Sequence, residues 1–242
     1  MPMPVTLPAP LHVLSGASSD IGQAIACRLA DSGRSVLALG RNRGLLQALE
    51  ERCPGRIQAC MLDLTNEAAL AALSHELASS GHAVAGLIHC AGVYFAGRIE
   101  ATPLEELDRM YQANVRAPYQ LTQLLLPALG RSAGRVIFIN STAGLRTPPA
   151  LSGYSASQHS LRVLAESLRE ESNAQGVLVT SIYLGRTATR RMAGIFRSEQ
   201  REYRPELLLQ PADVADTVLY VLDLPPRVEV VDLTMRPAVK SY

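Results

Sequence analysis

The sequence predicts an α/β protein: one doubly wound domain over residues 1–242, with a mostly parallel sheet of about seven strands. Three observations lead there. Short apolar runs alternate with segments of helical period, the pattern of βαβ units. The first apolar run feeds directly into a glycine-bearing loop, "SGASSDIG" (15–22), that opens a helix. The chain has 242 residues of which 48% are apolar, with no repeat, low-complexity tract or linker to divide it.

Taken in order, "LHVLS" (11–15) reads as a strand and "DIGQAIACRLADSG" (20–33) as a helix closed by Gly33. "SVLALG" (35–40) is the second strand, followed by a helix near "RGLLQALEERC". "RIQACMLD" (56–63) and "VAGLIHC" (84–90) are strands on either side of a helix at about 66–80. A long helix runs from about Glu105 to Leu129, then the strand "RVIFINS" (135–141), a helix from about Gly153 to Asn173 and the strand "VLVTSIYLG" (177–185). A helix at about 211–223 and the strand "VEVVDLTM" (228–235) complete the series. Right-handed crossovers restrict such a series to a doubly wound sheet, whose ligands lie at the carboxyl ends of the strands.

Composition excludes several function classes. A net charge of +1 gives no electrostatic attraction for nucleic acid or anionic membrane. Cys27, Cys53, Cys60 and Cys90 form no Cys-x-x-Cys pair and read as reduced thiols, with no metal site expected. "MPMPVTLPAPLHVLSG" lacks the basic region and apolar run of a signal peptide, and no run reaches the roughly 18 apolar residues of a membrane span; a cytoplasmic location is the expectation. Lys240 is the only lysine, so arginine carries almost all of the positive charge.

The 15–22 loop has the makings of a phosphate site. Gly16 permits a sharp turn and Gly22 a close helix–sheet approach, while Ser18, Ser19 and the helix N-terminus offer donors. The alternative is an ordinary strand–helix turn capped by Asp20. After the second strand stands "GRNR" (40–43). A carboxylate there would accept from an adenosine ribose; instead Arg41 offers a guanidinium suited to a ribose phosphate, which favours NADP(H) over NAD(H).

With these residues in view, the chain resembles the short-chain dehydrogenase/reductase family, Rossmann-fold NAD(P)-dependent oxidoreductases, from His12 to about Pro237. The family's Thr-Gly-x-x-x-Gly-x-Gly loop is matched by Ser15-Gly16-Ala17-Ser18-Ser19-Asp20-Ile21-Gly22, with Asp20 in place of the middle glycine. That carboxylate would repel a pyrophosphate unless it turns outward. The resemblance assigns Asp63 and Leu64 of "LDLT" to the adenine, and His89-Cys90-Ala91-Gly92 to the family's Asn-Asn-Ala-Gly stretch. Asn114 in "YQANVRAP" falls at the relay asparagine. Ser141 and Tyr154 fall at the catalytic serine and tyrosine. "LGRTAT" (184–189), with Gly185, Thr187 and Thr189, resembles the segment that touches the nicotinamide, Leu184 replacing its proline.

The resemblance implies hydride transfer between the cofactor and a carbonyl or alcohol carbon, with Tyr154 as acid or base and Ser141 bonded to the substrate oxygen. One turn beyond Tyr154, where the family has a lysine, stands Gln158. In the resembling enzymes that lysine binds the nicotinamide ribose and lowers the tyrosine's pKa. A glutamine amide can do the first task only. A unit charge about 4–5 Å away at effective ε near 20 is worth roughly 3–4 kcal/mol, or about two to three pKa units. Its loss leaves a tyrosine that is already the acid a reduction needs. The expected activity is therefore carbonyl reduction; the alternative is a catalytically weak dinucleotide-binding sensor or partner protein.

Residues 186–210 are the expected substrate lid. "RTATRRMAGIFRSEQREYR" (186–204) holds six arginines, interleaved with Glu199 and Glu202 as in a solvated charged helix. Tyr94, Leu145, Tyr183 and Phe196 are candidates for lining the pocket, and His159 is expected to pack or face solvent. The resemblance further implies a small-molecule substrate and a homodimer or homotetramer packed through the two long helices.

Overall fold

The computed structural model describes residues 4–239; Lys240 lies outside them. Seven strands form one sheet: β1 (Leu11–Ser15), β2 (Ser35–Gly40), β3 (Ile57–Met61), β4 (Val84–His89), β5 (Arg135–Ser141), β6 (Leu178–Leu184) and β7 (Asp232–Met235). Their order is β3-β2-β1-β4-β5-β6-β7, and every pairing is parallel. The winding reverses between β1 and β4, and the crevice outside those strand ends is where an open α/β sheet binds its ligand.

The helices are α1 (Asp20–Asp31), α2 (Arg43–Arg52), α3 (Glu67–Ser79), α4 (Leu104–Tyr111), α5 (Ala117–Arg131), α6 (Ser152–Ser172), α7 (Arg190–Ser198) and α8 (Pro211–Asp223). Strand alternation sends side chains into two cores. Leu11, Val13, Leu37, Leu87, Val136 and Phe138 pack in one, with residues of α3, α5 and α6. Leu14, Val36, Ala38, Ile88, Ile137 and Ile182 pack in the other, with residues of α1, α2 and α8. With both faces covered, the strands read as near-continuous apolar runs rather than as alternating ones.

Three elements differ from the sequence expectation. The helix expected over 105–129 is broken by a π turn at Gln112–Arg116. Pro118 lacks the N–H that would bond the Asn114 carbonyl, and the wider turn absorbs the mismatch. The last strand, expected over 228–235, begins only at Asp232. Upstream of it one main-chain bond remains, from Ser181 N–H to the Val231 carbonyl (3.0 Å), and at Val179 the N–H donates instead to the Glu229 carboxylate (2.7 Å), which ends the ladder. Within the arginine-rich segment, residues 190–198 form the amphipathic helix α7. No helix among the described residues is long and apolar enough to cross a membrane.

Candidate functional site

At the end of β1, Gly16 adopts φ +69, and a Cβ there would lie 2.6 Å from the Ala91 nitrogen. Only glycine allows this approach of two strand-end loops. The Ser15 hydroxyl adds to it by accepting from the Cys90 and Ala91 N–H groups (3.1 and 3.3 Å). Gly22 is equally confined, its virtual Cβ 2.2 Å from the Gly16 carbonyl oxygen.

Ser19, not Asp20, caps α1: its hydroxyl accepts from Gly22 N–H (3.0 Å) and donates to the Gly16 carbonyl (2.8 Å). The N–H groups of Asp20 and Ile21 donate to nothing among the described residues. Two free donors at a helix N-terminus, beside the Ser18 hydroxyl, suit a diphosphate. The Asp20 carboxylate turns instead to α7, where one oxygen accepts from Arg190 N–H and the other from Arg190 Nε (both 2.7 Å). The expected repulsion of an anion is thus offset by a paired guanidinium.

Beyond the ends of β2 and β3 lies a cavity of about 380 Å³ lined by Arg41, Thr65, Val93, Arg109, Gln112 and Ala113. Arg41 makes no hydrogen bond or ion pair among the described residues, and Asn42 beside it is spent capping α2 (Leu45 N–H, 3.1 Å). Ser18 Oγ lies 3.0 Å from where a Gly40 Cβ would stand, so it borders the same place. Asp63 accepts from Thr65 N–H and Oγ1–H (2.9 and 2.8 Å); these bonds, with the nearby Arg41, hold its carboxyl below the usual range. Leu64 packs against the core beside it. Arg109 and Gln112 carry no motif; only their three-residue spacing on the helix before Asn114 could have suggested a shared face.

The His89–Gly92 stretch connects the crevice to the core. His89 stacks on Phe138 (centroids 4.7 Å apart), and its Nε2 meets Thr122 Oγ1 at 2.9 Å. Burial lowers its pKa to about 3, so it is a neutral tie between sheet and α5. Burial pushes the Cys90 thiol up to about 11, so Cys90 is an uncharged wall beside Ser19. Buried Asn114, in the π turn, accepts from Val93 N–H (2.7 Å) and donates to the Val93 carbonyl (2.9 Å) and Ser157 Oγ (3.0 Å). Its side chain joins the β4 loop to α6.

Ser141 ends β5, and its hydroxyl accepts from Ala143 N–H (3.1 Å) while facing the Tyr154 phenol. Tyr154 lies edge-on to Tyr94, centroids 5.0 Å apart. Burial raises the Tyr154 pKa; the Ser141 hydroxyl and the Arg191 charge act in the opposite direction. Gln158 is buried, with its main-chain carbonyl taken by Asn140 Nδ2 (3.2 Å) and its side-chain amide uncommitted among the described residues. His159 Nδ1 meets the Ser155 carbonyl at 2.8 Å, a packing role as expected.

After β6, Gly185 packs against Arg236. Buried Thr187 pairs with Leu209, and Thr189 caps α7 by accepting from Met192 N–H (3.1 Å). Two of the expected pocket residues lie elsewhere. Tyr183 is buried in β6, its hydroxyl among Ser181, Arg162 and Asp232, because strand alternation turns it away from the crevice. Phe196 is the core of the arginine-rich segment itself: Arg186 and Arg201 lie over its ring at 4.6 and 5.1 Å, and Tyr203 meets its edge. Glu199 bridges those same two arginines (3.0 and 3.2 Å). Arg191, which the sequence singled out only as one of six, donates from Nη2 to the Gly92 carbonyl (2.5 Å).

Known proteins resemble the chain in sequence and in fold. The family model described as short chain dehydrogenase matches residues 12–200. An uncharacterized oxidoreductase of Staphylococcus aureus is 30% identical over 229 residues, covering 94% of this chain and 96% of that protein. The closed form of serine dehydrogenase complexed with NADP+ superposes with a TM-score of 0.87 at 25% identity, over 96% of this chain and 97% of that one. A metagenomic short-chain oxidoreductase in complex with NADP gives a TM-score of 0.80 at 28% identity, over 95% and 97%. By sequence and by fold, then, the chain belongs to the short-chain dehydrogenase/reductase family of oxidoreductases.

Proposed function

We propose that the protein is an NADP(H)-dependent carbonyl reductase, with Tyr154 as the proton donor, Ser141 as the hydrogen-bonding partner of the substrate oxygen and residues 186–210 as a lid over a single NAD(P)-binding domain. The observation that carries this reading is the state of Tyr154: burial keeps its phenol protonated, Ser141 faces it, and no ammonium stands at position 158. A protonated phenol is what a reduction consumes.

NADPH supplies the hydride when bound. The chain's own groups do the rest. The free N–H groups of Asp20 and Ile21, with Ser18, receive the diphosphate. Arg41 receives the ribose phosphate, and Asp63, Leu64 and the Cys90–Gly92 stretch border the adenosine. The Gln158 amide could hold the nicotinamide ribose hydroxyls, and Gly185, Thr187 and Thr189 would border the nicotinamide. Tyr154 delivers its Oη proton to the substrate oxygen as the carbon becomes an alcohol carbon, then regains a proton from water. Tyr94 and Leu145 give the substrate a partly apolar wall. Several structural relatives are complexes with NADP, which supports the cofactor choice. Exposed Tyr111, Tyr119 and Val163 on α4, α5 and α6 support a homo-oligomer packed through these helices.

The test is loss of NADPH absorbance in the presence of a panel of aldehydes and ketones. Turnover supports the reductase. Tight NADPH binding with no turnover on any of them, in either direction, would favour the dinucleotide-sensor reading.

A further inference from the structure

We infer that Arg191, reaching from α7 to the Gly92 carbonyl, is a positioning residue that supplies Tyr154 with the positive charge that position 158 lacks. The inference rests on the reductase reading above, in which Tyr154 exchanges the proton.

The geometry is a bridge. Arg191 Nη2 donates to the Gly92 carbonyl at 2.5 Å. Gly92 adjoins Val93, whose N–H and carbonyl are both held by Asn114, and Asn114 in turn bonds Ser157, one turn from Tyr154 on α6. Ser157 Oγ closes the circuit on the Tyr154 carbonyl (2.7 Å). Tyr94, two residues beyond Gly92, touches the Tyr154 ring. The guanidinium is therefore fixed on the loop that walls the tyrosine.

The other groups facing Tyr154 do not carry that charge. Ser141 from β5 and Gln158 from its own helix are neutral, and Tyr94 from the β4 loop is protonated, burial pushing its pKa up. Behind Tyr94 lie Arg186 and Glu199, which pair with each other at 3.0 Å and largely cancel. Arg190 is spent on Asp20. No lysine occurs among residues 1–239. The Arg191 charge favours the tyrosinate and also acts on the Cys90 thiol, from an exposed position over the Gly92 carbonyl. Because Arg191 belongs to α7, the charge is held in place by the contacts of that helix to Asp20 and Gly92.

The direct measurement is alkaline titration of tyrosinate absorbance, with Tyr154 isolated as the difference between a protein and its Tyr154→Phe counterpart; it needs no turnover. Arg191→Gln should raise the Tyr154 midpoint by about one pH unit, the scale of a unit charge several ångströms away and partly exposed to water. Arg191→Lys should restore most of it. The rate of alcohol oxidation against pH should move by the same amount, and Gln158→Lys placed in the Arg191→Gln protein should bring it back. An unchanged midpoint in Arg191→Gln overturns the inference, as does a rise in the KM for NADPH with no change in either pH profile, which would make Arg191 a cofactor grip. A moved midpoint in a protein that turns over nothing leaves the charge assignment standing and removes the reductase reading instead.

Discussion

Asp20 and Arg190 form a two-point clamp between α1 and α7, one carboxylate oxygen accepting from the Arg190 backbone N–H and the other from its Nε, both at 2.7 Å. The clamp turns an apparent defect in the phosphate loop into a join. An aspartate at the first position of α1 is favoured by the helix dipole, but alone it would oppose a diphosphate. Pairing with Arg190 neutralises it and fastens the arginine-rich segment across the loop.

Arg190→Ala should therefore weaken NADPH binding about tenfold, a change of about 1.4 kcal/mol, by leaving the Asp20 charge beside the diphosphate with only the residue 190 main-chain N–H and no guanidinium to offset it. Asp20→Gly in the same protein should recover most of the loss. Fluorescence titration of NADPH against the three proteins checks this; equal Kd values throughout would show that the clamp has no bearing on the cofactor.

Arg41→Ala should abolish the preference for NADPH over NADH, which should be at least tenfold in the unmutated protein. The guanidinium is exposed, has no hydrogen bond or ion pair among the described residues, and borders the 380 Å³ cavity together with Arg109. Arg109 is held by Glu106 (2.8 Å from Nε), so it should compensate only in part. The two Kd values for each protein decide the matter, and a wild type that binds both cofactors equally would refute the role given to Arg41.

Much of this was legible in the sequence, and the rest was not, for physical reasons. The βαβ order and the glycine loop depend on local periodicity and short spacings, which a single chain displays, whereas the Ser141–Tyr154 pair rests on the family resemblance. The clamp joins residues 170 positions apart, and the Arg191–Gly92 contact spans 99, so neither leaves a local trace. Asp20 was read as a possible cap because aspartate is a good one; Ser19, one residue earlier, took the role once the helix start was placed. Tyr183 was misplaced because an alternating strand reveals which residues share a face but not which face meets the crevice. Phe196 was misplaced because it serves a small core that exists only after α7 folds.

Acid should destabilise the fold through two histidines that are buried and neutral. Burial lowers His89 to about 3 and His12 to about 4, the latter aided by the charge of Arg34. In the unfolded chain both would titrate near 6.5. Between about pH 6.5 and those lower values the unfolded state binds more protons, so stability falls as pH drops through that window. Each histidine should cost on the order of 2 kcal/mol by pH 5. Urea unfolding at pH 7 and pH 5 should show the decline, and His89→Asn, losing one titrating group, should roughly halve its slope. A stability unchanged between the two pH values would mean that neither ring is excluded from water as the structure has it.

Tyr154→Phe should remove nearly all turnover and leave NADPH binding within about twofold of normal. In the proposed reaction the phenol oxygen moves the proton, while the ring is held by its edge contact with Tyr94 and by the helix, neither of which needs the hydroxyl. Ser141→Ala should act on the same step but less completely, because it removes a hydrogen bond to the substrate oxygen and leaves the proton donor in place. The two losses should not add, since both act on one oxygen atom: the double variant should be about as slow as Tyr154→Phe alone. Single-turnover rates with saturating NADPH separate chemistry from binding. Full activity in Tyr154→Phe would assign the proton to another group, and the partly exposed Tyr94 would be the first to replace in turn.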